Sequence, residues 1–378
     1  MLTTLTARRL VTDAGQIEYP VVSVEDGNIV SVEGGPANGS TDTLTSAFFD
    51  IHVHGARSFD FMAASPAGIA EVGRFLASRG VAHYLPTTVT APLELTLRAL
   101  EHLADAIEHP GEHVPSAPVA TPVGIHLEGP FVSHGKRGVH PEVSIREPSV
   151  ELFDRFQQAA RGHIRLMTLA PELPHALELI EHVTADGVRV TMGHSAATTE
   201  ETLAAIAAGA KSSTHLFNAM RALDHREPGI VGTILDREDV YAEAICDGVH
   251  VHPSIVRLWL KMKGEERAIL VTDGMSATGV PDGTYTLGDF EVVVRDGVCL
   301  SGETLAGSVL TMDKAVANVQ RFTGTSLAAA VRLASRNPAR MMGMQHLTQM
   351  APGTPANFNV FDETGDRTGS IFHGRLVE

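Results

Sequence analysis

The chain has 378 residues, 43% of them hydrophobic and 20% charged, with a formal net charge of -16. That acidity argues against nucleic acid and anionic membrane surfaces as partners, so an anionic small substrate would need a local cluster of positive or amide groups. The length suits a large α/β barrel or two to three smaller units, no stretch approaches the ~20 apolar residues of a membrane span, and Cys246 and Cys299 are too few and too distant for a disulfide framework.

Residues 1–47 read as short β-strands. Val22-Ser23-Val24-Glu25 and Ile29-Val30-Ser31-Val32 alternate on either side of Asp26-Gly27-Asn28, a hairpin signature. Arg8-Arg9 leads into Leu10-Val11-Thr12-Asp13 without an apolar signal core, so the expectation is a cytoplasmic protein. Phe358-Asn359-Val360-Phe361 and Ser370-Ile371-Phe372-His373 have the same strand character near the other terminus. The two ends are therefore expected to pair as one small β domain, 1–47 plus 352–378, with a catalytic domain over 48–351 between them.

From residue 48 short apolar strands alternate with helical stretches. Strands are expected at 48–54, 81–85, 123–128, 164–169, 188–194, 212–217, 241–246 and 268–272. Ser65-Pro66 opens one helix, and Thr198-Thr199-Glu200-Glu201 opens another as a capping box. Eight strands mostly separated by helices predict a (β/α)₈ barrel. After the eighth strand, 285–300 reads as a hairpin insertion around Arg295-Asp296-Gly297, with helices resuming near 310–322 and 327–335.

The first strand carries the most informative pattern, Phe48-Phe49-Asp50-Ile51-His52-Val53-His54-Gly55. Alternation puts Asp50, His52 and His54 on one face, where two imidazoles can share a metal and the carboxylate can orient one of them. A strand end with two solvated histidines is the bland alternative. The third strand, however, ends in Glu128, the fifth in His194 and the eighth in Asp273, and the sixth carries His215. Barrel active sites form where the C-terminal ends of the strands converge. Six metal-competent residues at five such ends predict an open catalytic site holding one or two divalent ions. Zinc suits imidazole and carboxylate donors best, though iron and manganese bind similar sets. Such an ion makes hydroxide available near pH 7. Asp273 would then serve as general base and acid in hydrolysis of an amide or related bond.

These motifs resemble the amidohydrolase superfamily. Gly124-Ile125-His126-Leu127-Glu128-Gly129-Pro130-Phe131, Met192-Gly193-His194-Ser195, Thr214-His215-Leu216-Phe217-Asn218-Ala219-Met220, Val271-Thr272-Asp273-Gly274-Met275 and Leu305-Ala306-Gly307-Ser308 resemble, within it, the N-acetylglucosamine-6-phosphate deacetylase family. The resemblance implies a distorted barrel with a small β-sandwich domain built from both chain ends. It makes Glu128, His194 and His215 the principal metal ligands, with His52 and His54 available to a second ion and Glu128 bridging. It assigns proton transfer to Asp273 and carbonyl polarisation to His140. It gives the amino-sugar phosphate to His140, Asn218, Ala219, Arg226 and His250, with Arg226 reaching the neighbouring active site of a homodimer. Read without the resemblance, Arg226 is a basic loop residue, His250 a surface histidine and His140 loop filler.

The segment 133–140, with two glycines, Lys136 and Arg137, reads either as a lid over an anionic substrate or as a plain solvated loop. Leu169-Ala170-Pro171-Glu172 offers no lysine at the end of the fourth strand, which counts against a cyclic-amide hydrolase. The Leu216–Met220 stretch counts against both that reading and a nucleobase deaminase. A metal-free scaffold would have no reason to keep the whole donor set together with Asp273.

Overall fold

The computed structural model describes residues 2–13, 15–110 and 118–377. Eight parallel strands form the barrel wall: β1 (Phe48–Val53), β2 (Val81–Thr88), β3 (Ile125–Glu128), β4 (Ile164–Leu169), β5 (Arg189–Met192), β6 (Ser212–Ser213), β7 (Tyr241–Ile245) and β8 (Ala268–Val271). Each pairs with the next in sequence. Their apolar runs follow from burial on both faces, inside against the barrel core and outside against helices. Between β8 and β1 closure comes just beyond the strands, where Asp273 N donates to His52 O (2.9 Å) and His54 N to Gly274 O (2.7 Å). Register shifts in β1–β2 and β3–β4 distort the wall.

The helices begin where local chemistry dictates. Ser65 caps Pro66–Ser78 by accepting from Gly68 N, with Pro66 at the first helical position. Thr198 and Glu201 form the full reciprocal capping box of Thr199–Ala208. An unexpected third C-terminal helix, Arg336–Met342, follows Met312–Thr323 and Leu327–Ala334. Its Pro338 lies in the first turn, where a missing N–H costs nothing.

Several expected elements differ in extent, with β3 and β5 shorter than 123–128 and 188–194. β2 runs three residues further than 81–85. β6 stops at Ser213 because His215 (φ 27°), Phe217 (φ 82°) and Ala219 (φ 50°) leave the extended region. The insertion is a four-stranded meander, Gly283–Leu287, Phe290–Arg295, Val298–Ser301 and Thr304–Leu305, rather than one hairpin. Its additional first turn passes through Gly288 at φ +63°, where an added Cβ would sit 2.7 Å from a Val89 methyl.

The chain ends build two further sheets. Leu2–Thr6, Pro20–Glu25 and Asn28–Gly34 form one. Thr43–Ser46 and Phe358–Phe361 pair antiparallel at the centre of a six-stranded second. Leu10, Val22, Val24, Ile29, Leu44, Phe358 and Ile371 fill the core between them. The expected Asp26-Gly27 hairpin is present, with φ of 49° and 81° as a tight two-residue turn requires.

Candidate active site and metal centre

At the C-terminal mouth of the barrel, Glu128 is buried and surrounded by imidazole rings. His194 Nε2 and His215 Nε2 lie 3.3 and 3.2 Å from its Oε1, and 3.1 Å from each other. His52 Nε2 lies 3.4 Å from the same oxygen and His54 Nε2 3.3 Å from Oε2. Two groups of three donors result, His52–His54–Glu128 and Glu128–His194–His215, with Glu128 common to both. Asp273 Oδ1 approaches His54 Nε2 at 3.1 Å and His52 Nε2 at 3.5 Å.

The outward nitrogens sort these rings by protonation. His54 Nδ1 faces Thr87 O at 3.2 Å and His194 Nδ1 faces Lys136 O at 3.1 Å. Carbonyl oxygens only accept, so both neutral rings carry their hydrogen on Nδ1 and turn an Nε2 lone pair inward. His52 does the same against the Glu243 carboxylate, at 3.4 Å. His140 is the reverse. Its Nδ1 accepts from Thr90 N at 3.3 Å and lies 2.6 Å from Thr90 Oγ1, so its hydrogen belongs on Nε2, which faces the centre 3.8 Å from Glu128 Oε2. His140 is thereby a donor at the site and not a ligand. Gly129 makes this packing feasible, because at φ +82° an added Cβ would lie 2.1 Å from Thr90 Oγ1.

The electrostatics favour positive charge at this centre. Burial opposes charge on His52 and His54, yet Glu128 and Asp273 outweigh it and raise both imidazoles, His54 to about 9. Burial likewise pushes Glu128 and Asp273 up, but the facing imidazoles hold both below the usual carboxylate range. A divalent ion would provide that positive charge and would use the inward lone pairs instead of protonating them, so the donor set fits a metal. His140 and His126 are driven the other way, first by burial and then by charge on neighbouring rings, and stay neutral. His126 is satisfied by Ile51 O (3.1 Å) and Thr168 Oγ1 (2.7 Å), which removes it from the ligand set despite its place on β3.

Backbone strain concentrates here. His194, His215, Phe217, Ala219 and Asp273 all have positive φ, at a cost on the order of 1–3 kcal/mol each. The turn after β6 is held by Asn218, whose main-chain N–H and side-chain amide both donate to His215 O. Segment 133–140 is tied to the ligand set as well, since Ser133 N donates to His194 O and Lys136 O receives His194 Nδ1–H.

A cavity of about 460 Å³ opens over this centre, lined by His54, Glu128, His140, His194, His215, Asn218, Ala219, His250 and Asp273 among others. Arg226 is not in its wall; it lies exposed on the loop before Gly229–Asp236. His250 is anchored by Asp247 at 2.6 Å. Burial lowers the affinity of His250 for a proton, but the Asp247 bond and charge prevail and raise it above that of a free imidazole. Among the described residues no lysine or arginine lines the cavity.

Two features depart from what the sequence suggested. Asp50 does not orient an imidazole: it accepts from His52 N (3.3 Å), Thr272 N (3.4 Å) and Thr272 Oγ1 (2.5 Å), and so fastens β1 to β8. Its carboxylate leans across the seam because Thr272 offers two donors there. Two supporting residues, Glu243 behind His52 and Thr90 behind His140, were not anticipated. The only trace of Glu243 is a lone charge inside the apolar run Tyr241-Ala242-Glu243-Ala244-Ile245.

A parallel barrel gathering buried imidazoles and a shared carboxylate at its C-terminal mouth defines a metal-dependent hydrolase. The chain belongs to the amidohydrolase family, whose model matches residues 43–377. It is 38% identical to an N-acetylgalactosamine-6-phosphate deacetylase of Escherichia coli O157:H7, over 95% of this chain and 94% of that protein. It is 34% identical to the N-acetylglucosamine-6-phosphate deacetylase of Lysinibacillus sphaericus, over 94% and 92%. The solved structure of a Mycobacterium smegmatis N-acetyl-D-glucosamine-6-phosphate deacetylase mutant with N-acetyl-D-glucosamine-6-phosphate superimposes with a TM-score of 0.92 at 34% identity, covering 100% of this chain and 99% of that one. Among the described residues no helix is long and apolar enough to cross a membrane.

Proposed function

We propose that this chain hydrolyses the N-acetyl group of N-acetyl-D-glucosamine 6-phosphate to D-glucosamine 6-phosphate and acetate, in amino-sugar catabolism and cell-wall recycling. The observation that carries the reading is the opposed chemistry around Glu128, inward lone pairs on the ligand rings against one N–H donor on His140. Glu128, His194 and His215, with His52 and His54, would hold zinc, or iron or manganese in its place, which would supply Lewis acidity and a water acidic enough to attack the amide carbon. Asp273, held ionised, takes the proton from that water and returns it to the sugar nitrogen as the C–N bond breaks. His140 Nε2–H donates to the carbonyl oxygen as negative charge develops on it. His250, whose hold on a proton the Asp247 carboxylate strengthens, faces the substrate phosphate together with the turn at Asn218-Ala219.

A phosphate dianion in a protein of net charge -16 needs a stronger cation than His250 alone. We assign that role to Arg226 of a second subunit in a homodimer. Two observations support it: among the described residues no lysine or arginine lines the cavity, and Arg226 is exposed. Leu223, on the same loop, joins Leu203, Leu258 and Met262 in an apolar depression, each of them at least 40% exposed, as a subunit contact would require. Cys246 and Cys299, both buried and unpaired, accord with a cytoplasmic setting.

Acetate release tests the reading. Arg226→Ala should lower kcat/KM about ten- to hundredfold for the 6-phosphate, from loss of charge-assisted bonds, and barely change the slow rate on unphosphorylated N-acetylglucosamine. Equal losses on both sugars would remove Arg226 from phosphate recognition. Because a relative at 38% identity is named for the galactosamine substrate, the 4-epimer belongs in the same assay, and a clear preference for it would move the assignment to that sugar.

A further inference from the structure

Glu243 sits in the middle of β7, points into the barrel and is fully buried. An isolated carboxylate there is costly unless other groups need it. Its Oε2 lies 3.4 Å from His52 Nδ1 and 3.3 Å from His215 N. Its Oε1 has no hydrogen-bond partner, and neither does His215 Nδ1, which is also buried. These two imidazoles belong to different donor groups, His52 with His54 and His215 with His194, and their ring centres are 5.5 Å apart.

We infer that Glu243 is a positioning residue shared by two metal positions, holding the Nδ1–H of His52 on one oxygen and that of His215 on the other. The inference rests on the metal-centre reading above. Each ring can then direct only an Nε2 lone pair at the centre, and a carboxylate behind a metal-bound imidazole raises its basicity. A hydrogen bond from His215 Nδ1–H to Oε1 would satisfy both orphaned atoms at once. Glu128 joins the two positions from the front, and Glu243 joins them from behind. Loss of Glu243 should therefore weaken both positions, whereas loss of any single histidine weakens chiefly its own.

The test is Zn²⁺ titration of the metal-free full chain against a chromophoric chelator, with the Co²⁺-loaded protein followed by its visible absorption. Two ions in the unaltered protein, with Glu243→Gln binding both about 10- to 100-fold more weakly and showing an altered Co²⁺ spectrum, is the expected result. A single ion in the unaltered protein would sink the two-position reading and the sharing with it. Two ions with unchanged affinities in Glu243→Gln, or weakening at the His52 position alone, would overturn the sharing and leave the metal centre standing. If metal-free Glu243→Gln does not fold, Glu243→Asp carries the test: partial weakening at both positions supports the inference, and wild-type affinity at either overturns it.

Discussion

The barrel mouth and the β domain at the chain ends are built from opposite materials. In the β domain, Phe358, Leu10 and Val22 are fully buried among other apolar side chains, and the hairpin turns use the residues that tight turns favour. At the mouth, carboxylates and imidazoles are buried together and non-glycine residues adopt left-handed backbone. The first arrangement lowers the free energy of the fold. The second raises it, and it persists because surrounding strands and hydrogen bonds over-determine it. The contrast teaches that stability and chemistry are separated within one chain, and mutations should respect the division.

The largest effect is expected at the mouth. Asp273→Asn keeps the shape but cannot accept the water's proton, so kcat should fall about 10²- to 10⁴-fold while bound metal stays near the wild-type amount. Metal analysis beside steady-state rates decides it, since near-normal turnover with metal retained would free Asp273 from the mechanism. The reciprocal change lies in the β domain, where Phe358→Ala should cost about 3–5 kcal/mol by leaving a cavity. Denaturant unfolding would register that loss, while kcat per folded molecule should be unchanged. A large fall in kcat without loss of stability would erase the proposed division between the two regions. The mildest change is replacement of both His52 and His54 by Asn. Bound metal should drop from about two ions towards one with the fold intact. Zinc-saturated wild-type protein holding one ion would show that these rings form no second position.

The donor set was legible because barrel geometry converts sequence position into spatial convergence. His52, His54, Glu128, His194, His215 and Asp273 each stand at or just past a strand end, and the eight-strand pattern is enough to bring them together. His126 shows the limit of that logic. It is two residues from Glu128 on the same strand, yet Ile51 O and Thr168 Oγ1 occupy both of its nitrogens. The role given to Asp50 failed for a related reason: a shared strand face does not say which neighbouring strand supplies the better donor, and here β8 did.

Periodicity, caps and turn residues are local, so the sequence by itself determined the barrel, its helix starts, the strands at both chain ends and which side chains are candidate metal donors. What each imidazole does depends on the atom behind it, and that atom comes from a distant part of the chain. Thr90 reaches His140 across 50 residues, and Glu243 reaches His52 across 191. Ligand and donor are the same residue type in the sequence, and only the packed barrel, by presenting a carbonyl to one ring and an N–H to another, sets which nitrogen carries the proton.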